Sequence, residues 1–223
     1  MALVLNIETA TTNCSVSLSK DGETLVLRED NSLGYSHAET LHLFIDEVFK
    51  HSQIKLSEVN AVAVSKGPGS YTGLRIGVSS AKGLCFALNK PLIAISTLES
   101  LAHQVKIEEG FIVPMLDARR MEVYSAIYNS KFELHREIKA EILTEDSYSD
   151  LLKTDKVYFI GNGVEKTKSL IQHSNAIFID SKLPSAKEMA TLAEIKYKKS
   201  DTEDVAYFEP YYLKDFVALK KKN

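Results

Sequence analysis

The residues with the clearest chemical potential form one string: Gly67, Pro68, Gly69, Ser70, Tyr71, Thr72 and Gly73, continuing as Leu74-Arg75-Ile76-Gly77. The run before it, Ala61-Val62-Ala63-Val64, is short and apolar, and the run after it reaches Leu88 with glycine as its only helix breaker. That pattern predicts a strand, a tight turn and a helix, with backbone N–H groups at the helix start that can meet an anion or a partner. It is not a Walker-type phosphate loop, because no lysine follows Gly73 and the G-x-x-x-x-G-K-[ST] spacing is absent. Nor is it a nucleophile elbow, since Gly69-Ser70-Tyr71-Thr72-Gly73 places its serine one position early. On these residues alone, the string serves either to turn the chain tightly or to bind a nucleotide.

A chain of 223 residues buries a sizeable core and holds one large or two small domains. Apolar residues make up 44% and charged residues 26%, an ordinary soluble composition. The first residues lack a basic segment, and Asn6 and Glu8 interrupt their apolar run, so no signal peptide is expected. No stretch is long and apolar enough to span a bilayer, and the expected location is the cytoplasm. Cys14 and Cys85, the two cysteines, then read as buried free thiols. The net charge of −3 argues against an autonomous grip on a nucleic-acid backbone. Dense basic runs occur only at Lys196/Lys198/Lys199 and in the tail Lys220-Lys221-Lys222.

Elements that position the string follow from periodicity. Strands are expected at 3–8, 14–19 and 24–28, the last two joined by a turn at Lys20-Asp21-Gly22. Ser36 and Glu39 form a capping box opening a helix over 37–50, in which Leu41, Phe44, Ile45, Val48 and Phe49 make one apolar stripe. Strand 61–65, the glycine turn, helix 73–88, strand 91–95 and a helix over 98–106 complete the first half. A second half repeats this order: strands 111–116, 122–128 and 132–139, a helix over 144–153, and strand 157–160. The turn Gly161-Asn162-Gly163, a helix to His173, strand 176–179 and a helix over 185–199 close it. The expected fold is α/β, with duplicated βββαβα units in an N-terminal domain over 1–106 and a C-terminal domain over 107–223 that carries the basic tail.

The opening Leu3-Val4-Leu5-Asn6-Ile7-Glu8-Thr9-Ala10-Thr11, the Gly67–Gly77 string and Leu116-Asp117-Ala118-Arg119 resemble the TsaB (YeaZ) family. The likeness is dense to about residue 125 and thinner to Tyr211-Tyr212-Leu213. It implies a two-domain actin/Hsp70/sugar-kinase (ASKHA) fold around a cleft. It also implies a role as partner subunit in making N6-threonylcarbamoyladenosine (t6A) at position 37 of tRNA, beside a TsaD-like catalytic subunit and a TsaE-like ATPase. Transfer RNA would be held mainly through the complex. ATP or ADP at or near the partner interface is compatible with the resemblance, and no cofactor is required of this chain.

In such a cleft Glu8 and Asp117 become candidate acids for Mg²⁺-ATP, although neither following turn contains glycine. The alternative is that both acids hydrogen-bond to their own turns or to each other's loops. TsaD-type and M22-peptidase-type relatives carry a histidine pair on the first helix. Here His37 and His42 are five residues apart, which leaves the imidazoles roughly 140° apart around the helix and unable to share one metal easily.

Helix 73–88 carries Arg75, Ser79 and Lys82 as a polar strip with Phe86 beside it, and apolar residues over most of the rest. Gly73, Gly77, Ser80 and Ala81 leave one side thin enough for a neighbouring helix. The apolar breadth suits either a helix packed on two sides within its domain or a partner contact. The resemblance favours the partner contact, with Leu41, Leu43, Ile45, Arg75, Ser79, Lys82 and Phe86 as its residues. The rival readings are an autonomous Mg-ATP-binding ASKHA enzyme (an ATPase or kinase), an M22-type peptidase, and a homodimer of the isolated chain.

Overall fold

Asp21 and Gly22, with φ of 55° and 83°, close a two-residue turn that matches the twist of a hairpin, and the rest of the first sheet grows from that ribbon. The computed structural model describes residues 2–31 and 37–214. Strands β1 (Leu3–Glu8), β2 (Cys14–Lys20) and β3 (Glu23–Asp30) are antiparallel. Helix α1 (His37–Ser52) leads to β4 (Ala61–Gly67), α2 (Tyr71–Leu88) and β5 (Leu92–Ser96). β4 lies parallel to β1, and β5 parallel to β4, giving the order β3-β2-β1-β4-β5. After α3 (Thr97–Ala102), β6 (Phe111–Asp117), β7 (Glu122–Asn129) and β8 (Leu134–Ile142) form a second antiparallel set. Then come α4 (Ser149–Leu152), β9 (Val157–Ile160), α5 (Val164–Leu170), β10 (Ala176–Ile179) and α6 (Ala186–Lys198). The second sheet runs β8-β7-β6-β9-β10, the same order as the first. This duplicated mixed sheet is the actin-like architecture expected from the sequence.

Both faces of each sheet are covered, so the inner strands β1, β4 and β6 are buried on both sides. α1 and α2 cover one face of the first sheet, with Leu41, Ile45, Val48 and Phe49 buried against Leu5, Ile7, Val62 and Val64. The other face receives α6, whose Ala186, Met189, Leu192 and Ala193 pack on Val4, Ala63, Ile93 and Ile95. α3 instead covers the second sheet, with Leu98 and Leu101 against Ile112, Leu116 and Ile160. Each sheet is therefore completed by a helix from the other side of residue 106. α2 starts under the Ser70 hydroxyl, which accepts from Gly73 N at 3.3 Å, and ends at Asn89 in the left-handed region.

Several expected helices are shorter in the structure. The helix over 98–106 stops at Ala102, where Gln104 N and Val105 N close tighter bonds to Leu101 O and Ala102 O. The helix over 144–153 shrinks to Ser149–Leu152, because Ser147 bonds back to Thr144 and Tyr148 takes a φ of 63°. The helix to His173 ends at Leu170, and His173 Nδ1 instead accepts from Asn175 N. Phe132 also has positive φ and belongs to the turn before β8. The capping box at Ser36 lies outside the described residues. Among the described residues no helix is long and apolar enough to cross a membrane.

Candidate functional site

The glycine string is consumed by close packing inside the molecule. A Cβ on Gly69 would stand 2.4 Å from Ala10 O, and one on Gly73 2.1 Å from Thr9 O. On Gly77 it would meet Thr9 Oγ1 at 2.2 Å. Thr9 Oγ1 donates to Gly73 O at 2.9 Å, and Ser70 N donates to Ala10 O at 2.7 Å. The thin side of α2 thus receives the turn after β1, and the expected neighbouring helix, α1, also comes close there: a Cβ on Gly73 would lie 3.3 Å from the His37 ring, and Ser80 Oγ is 3.4 Å from His42 Nε2. Gly67 has a φ of 109° and passes close to Tyr211 O.

Between the two sheets lies a cleft of about 720 Å³, walled by Ala10 and Thr11 after β1, the Gly69–Thr72 turn, Leu116–Arg119 after β6, and Tyr211–Lys214. The two candidate acids do not face each other across it. Glu8 is fully buried below the turn, where its Oε1 accepts from Ala10 N at 2.6 Å and burial pushes its pKa up to about 7. Asp117 does line the cleft, but its Oδ1 accepts from Arg119 N at 2.6 Å and from Lys166 Nζ at 2.7 Å. Each acid therefore serves its own turn, the arrangement that competed with metal-nucleotide binding in the sequence.

Lys166 is the side chain bordering this cleft that sequence reasoning missed. Its ammonium also donates to Arg120 O at 2.6 Å and Glu122 O at 3.1 Å, so it holds the β6–β7 turn. Arg119 and Arg120 in that turn have φ of 71° and 50°, a conformation in which most L-residues are strained. The available signal was a lysine in the first turn of the helix that follows Gly161-Asn162-Gly163.

His37 is buried, with Nε2 2.7 Å from Thr11 O, whereas His42 Nε2 approaches Ser80 Oγ at 3.4 Å. The two imidazoles serve different elements. No group of three or more His, Cys, Asp or Glu side chains among the described residues is placed to hold a metal ion.

The outer face of α1 and α2 divides the residues expected to meet a partner. Leu41 is 0% exposed and Ile45 6%, so both belong to the core and offer no surface; this corrects their placement at an interface. Leu43 and Phe86, at 60% and 85%, stand in solvent, and Ser79 is exposed as well. The rest of α2's apolar breadth is internal, because Leu74, Val78, Ala81 and Cys85 are buried and Ile76, Leu84 and Leu88 are partly so. Neither cation of α2 is free. Arg75 donates to Tyr71 Oη at 2.5 Å, and Lys82 Nζ donates to Phe208 O at 2.9 Å and Ala206 O at 3.2 Å.

Comparison with known proteins places this arrangement. A family model described as TsaD, tRNA N6-adenosine threonylcarbamoyltransferase, matches residues 33–222. The tRNA threonylcarbamoyladenosine biosynthesis protein TsaB of Haemophilus influenzae is 31% identical, over 98% of this chain and 96% of its own length. The chain belongs to the TsaB family. TsaB of Escherichia coli is 30% identical over 98% of this chain and 97% of that protein. YeaZ from Pseudomonas aeruginosa superposes with a TM-score of 0.82 at 26% identity, covering 96% of this chain and all of that one. Membership of the TsaB family over the whole length makes the duplicated sheets and the Gly67–Gly77 seam features of one continuous fold, not of a shared segment.

Proposed function

We propose that this chain is the non-catalytic partner subunit of the assembly that installs N6-threonylcarbamoyl on adenosine 37 of tRNA in the cytoplasm. It docks on a TsaD-like catalytic subunit, and a TsaE-like ATPase joins at or near the shared interface, where ATP or ADP belongs. The observation that carries this reading is the end-to-end match to proteins named for t6A biosynthesis. The site geometry supports a non-catalytic role: Glu8 is withdrawn from the cleft, Asp117 is neutralised by Lys166, and the glycine seam is filled by the chain's own Thr9 and Ala10. Exposed Leu43, Ser79 and Phe86 supply the docking face. Activation then consists of tighter binding to the active conformation of the partner than to its inactive one. Transfer RNA is held by the complex, since a chain of net charge −3 recruits few phosphates.

The test mixes the chain with a TsaD-like subunit and follows complex mass and tRNA modification. Burying one large apolar side chain contributes about 1.5–3 kcal/mol, so Leu43→Glu and, separately, Phe86→Asp should weaken docking about tenfold or more. Circular dichroism should show both variants folded. Folded variants that bind and activate as the parent does would place the docking face elsewhere. Calorimetric titration of the isolated chain with Mg-ATP should release no binding heat; stoichiometric binding with turnover would favour an autonomous ATPase.

A further inference from the structure

After α6 the chain runs back across the molecule as a strap, Glu203–Lys214. Its near end is fixed to the first sheet: Glu203 N donates to Leu92 O at 2.8 Å, and Val205 and Phe208 pack on the core beneath α2. Tyr211 N donates to Lys66 O at 2.7 Å, beside the gap left by Gly67. The strap then enters the cleft, where Tyr211, Tyr212, Leu213 and Lys214 form part of its wall. Its far end reaches the second sheet through an ion pair between Lys214 and Glu122 of β7.

Both cations of α2 lead to this strap. Lys82 holds the carbonyls of Ala206 and Phe208. Arg75 holds Tyr71, with its guanidinium 5.2 Å from the ring centre, and the Tyr71 ring lies 4.9 Å from that of Tyr212 inside the cleft. The exposed edge of α2 and the wall of the cleft are thus two ends of one connected set of contacts. The far ion pair is the weak member, because its lysine is 44% exposed and an exposed pair is screened by solvent.

We propose that the strap couples the docking face on α2 to the cleft between the sheets; this rests on the docking role assigned above. A partner carboxylate that takes Lys82 withdraws a donor from the strap, one that takes Arg75 releases Tyr71 from its place against Tyr212, and either way residues 206–214 loosen at the cleft wall. Because coupling is reciprocal, whatever displaces Tyr212 from the cleft weakens the hold on Arg75 and Lys82. The exposed edge of α2 around Lys82 therefore reports on the cleft from outside it.

Amide hydrogen exchange on the full chain tests this. Lys82→Met keeps the aliphatic stem and removes the donor. It should raise exchange about tenfold or more at Phe208 and Tyr211 and in the cleft wall around Ala118, leaving β9 unchanged. Lys214→Glu should raise exchange at the same cleft residues, and adding Glu122→Lys should restore it by reversing the pair. Cleft exchange unchanged in Lys82→Met, while Lys214→Glu raises it, would overturn the coupling. Adding a TsaD-like subunit separates the two claims. Docking that leaves strap exchange unchanged refutes the coupling and spares the docking role. Absence of docking refutes that role, and the isolated-chain arm still decides whether α2 and the cleft communicate.

Discussion

Thr9 and Gly73 are locked together: the threonine hydroxyl donates to Gly73 O at 2.9 Å, and the threonine carbonyl occupies the space where a Cβ on Gly73 would stand. The turn after β1 and the start of α2 are held at backbone contact by this pair, and the cleft floor depends on it.

Gly73→Ala should destabilise the protein by about 1–3 kcal/mol or more, because a backbone atom must move to admit the methyl group. Gly83 lies ten residues further along the same helix and has nothing within 4 Å of an added Cβ. Gly83→Ala should stabilise the isolated chain by about 0.5–1 kcal/mol through helix propensity. Denaturant titrations of both variants should therefore diverge in sign. Equal and small effects would mean that Thr9 does not press on α2.

Glu8 makes stability fall with rising pH. Burial raises its folded pKa from 4.5 to about 7, so the folded state binds the proton more tightly than the unfolded state does. The unfavourable contribution is absent below about pH 4.5, grows between there and about pH 7, and is then constant. The gap corresponds to roughly 3 kcal/mol. Glu8→Gln should lack this component, so its stability relative to the parent should improve between pH 4.5 and pH 8. A difference between the two proteins that is flat with pH would show that Glu8 ionises normally.

Glu141 has the opposite sign. Burial alone raises its pKa, but hydrogen bonds from Arg136, Ser125, Tyr148 and Lys139 together outweigh it and bring the value to about 2. The stabilisation is complete above about pH 4.5 and is lost as pH falls towards 2. Its side chain is only 15% exposed, so Glu141→Gln should cost roughly 3 kcal/mol at neutral pH. Near pH 2 the variant and the parent should converge. Persistence of the full deficit at that pH would assign the loss to packing around Tyr148 instead of charge.

The sequence by itself determined what depends on neighbours a few residues apart. The stripe Leu41, Ile45, Val48 and Phe49 appears as a core face because a helix repeats every 3.6 residues, and Asp21-Gly22 as a hairpin turn because its backbone conformation is one that few residues accept. The opening Leu3–Thr11, the Gly67–Gly77 string and Leu116-Asp117-Ala118-Arg119 carried the family. Tertiary structure alone decided which surface each apolar face meets. Periodicity states that α6 has a buried side, but not that this side covers the first sheet instead of the second. Composition shows that Gly73 and Gly77 make α2 thin, but not that Thr9 fills the gap. Lys82 meets Phe208 across 126 residues, and Lys166 meets Asp117 across 49. Such pairings leave no pattern in one chain, because a lysine written for a carbonyl far along the sequence looks the same as one written for water.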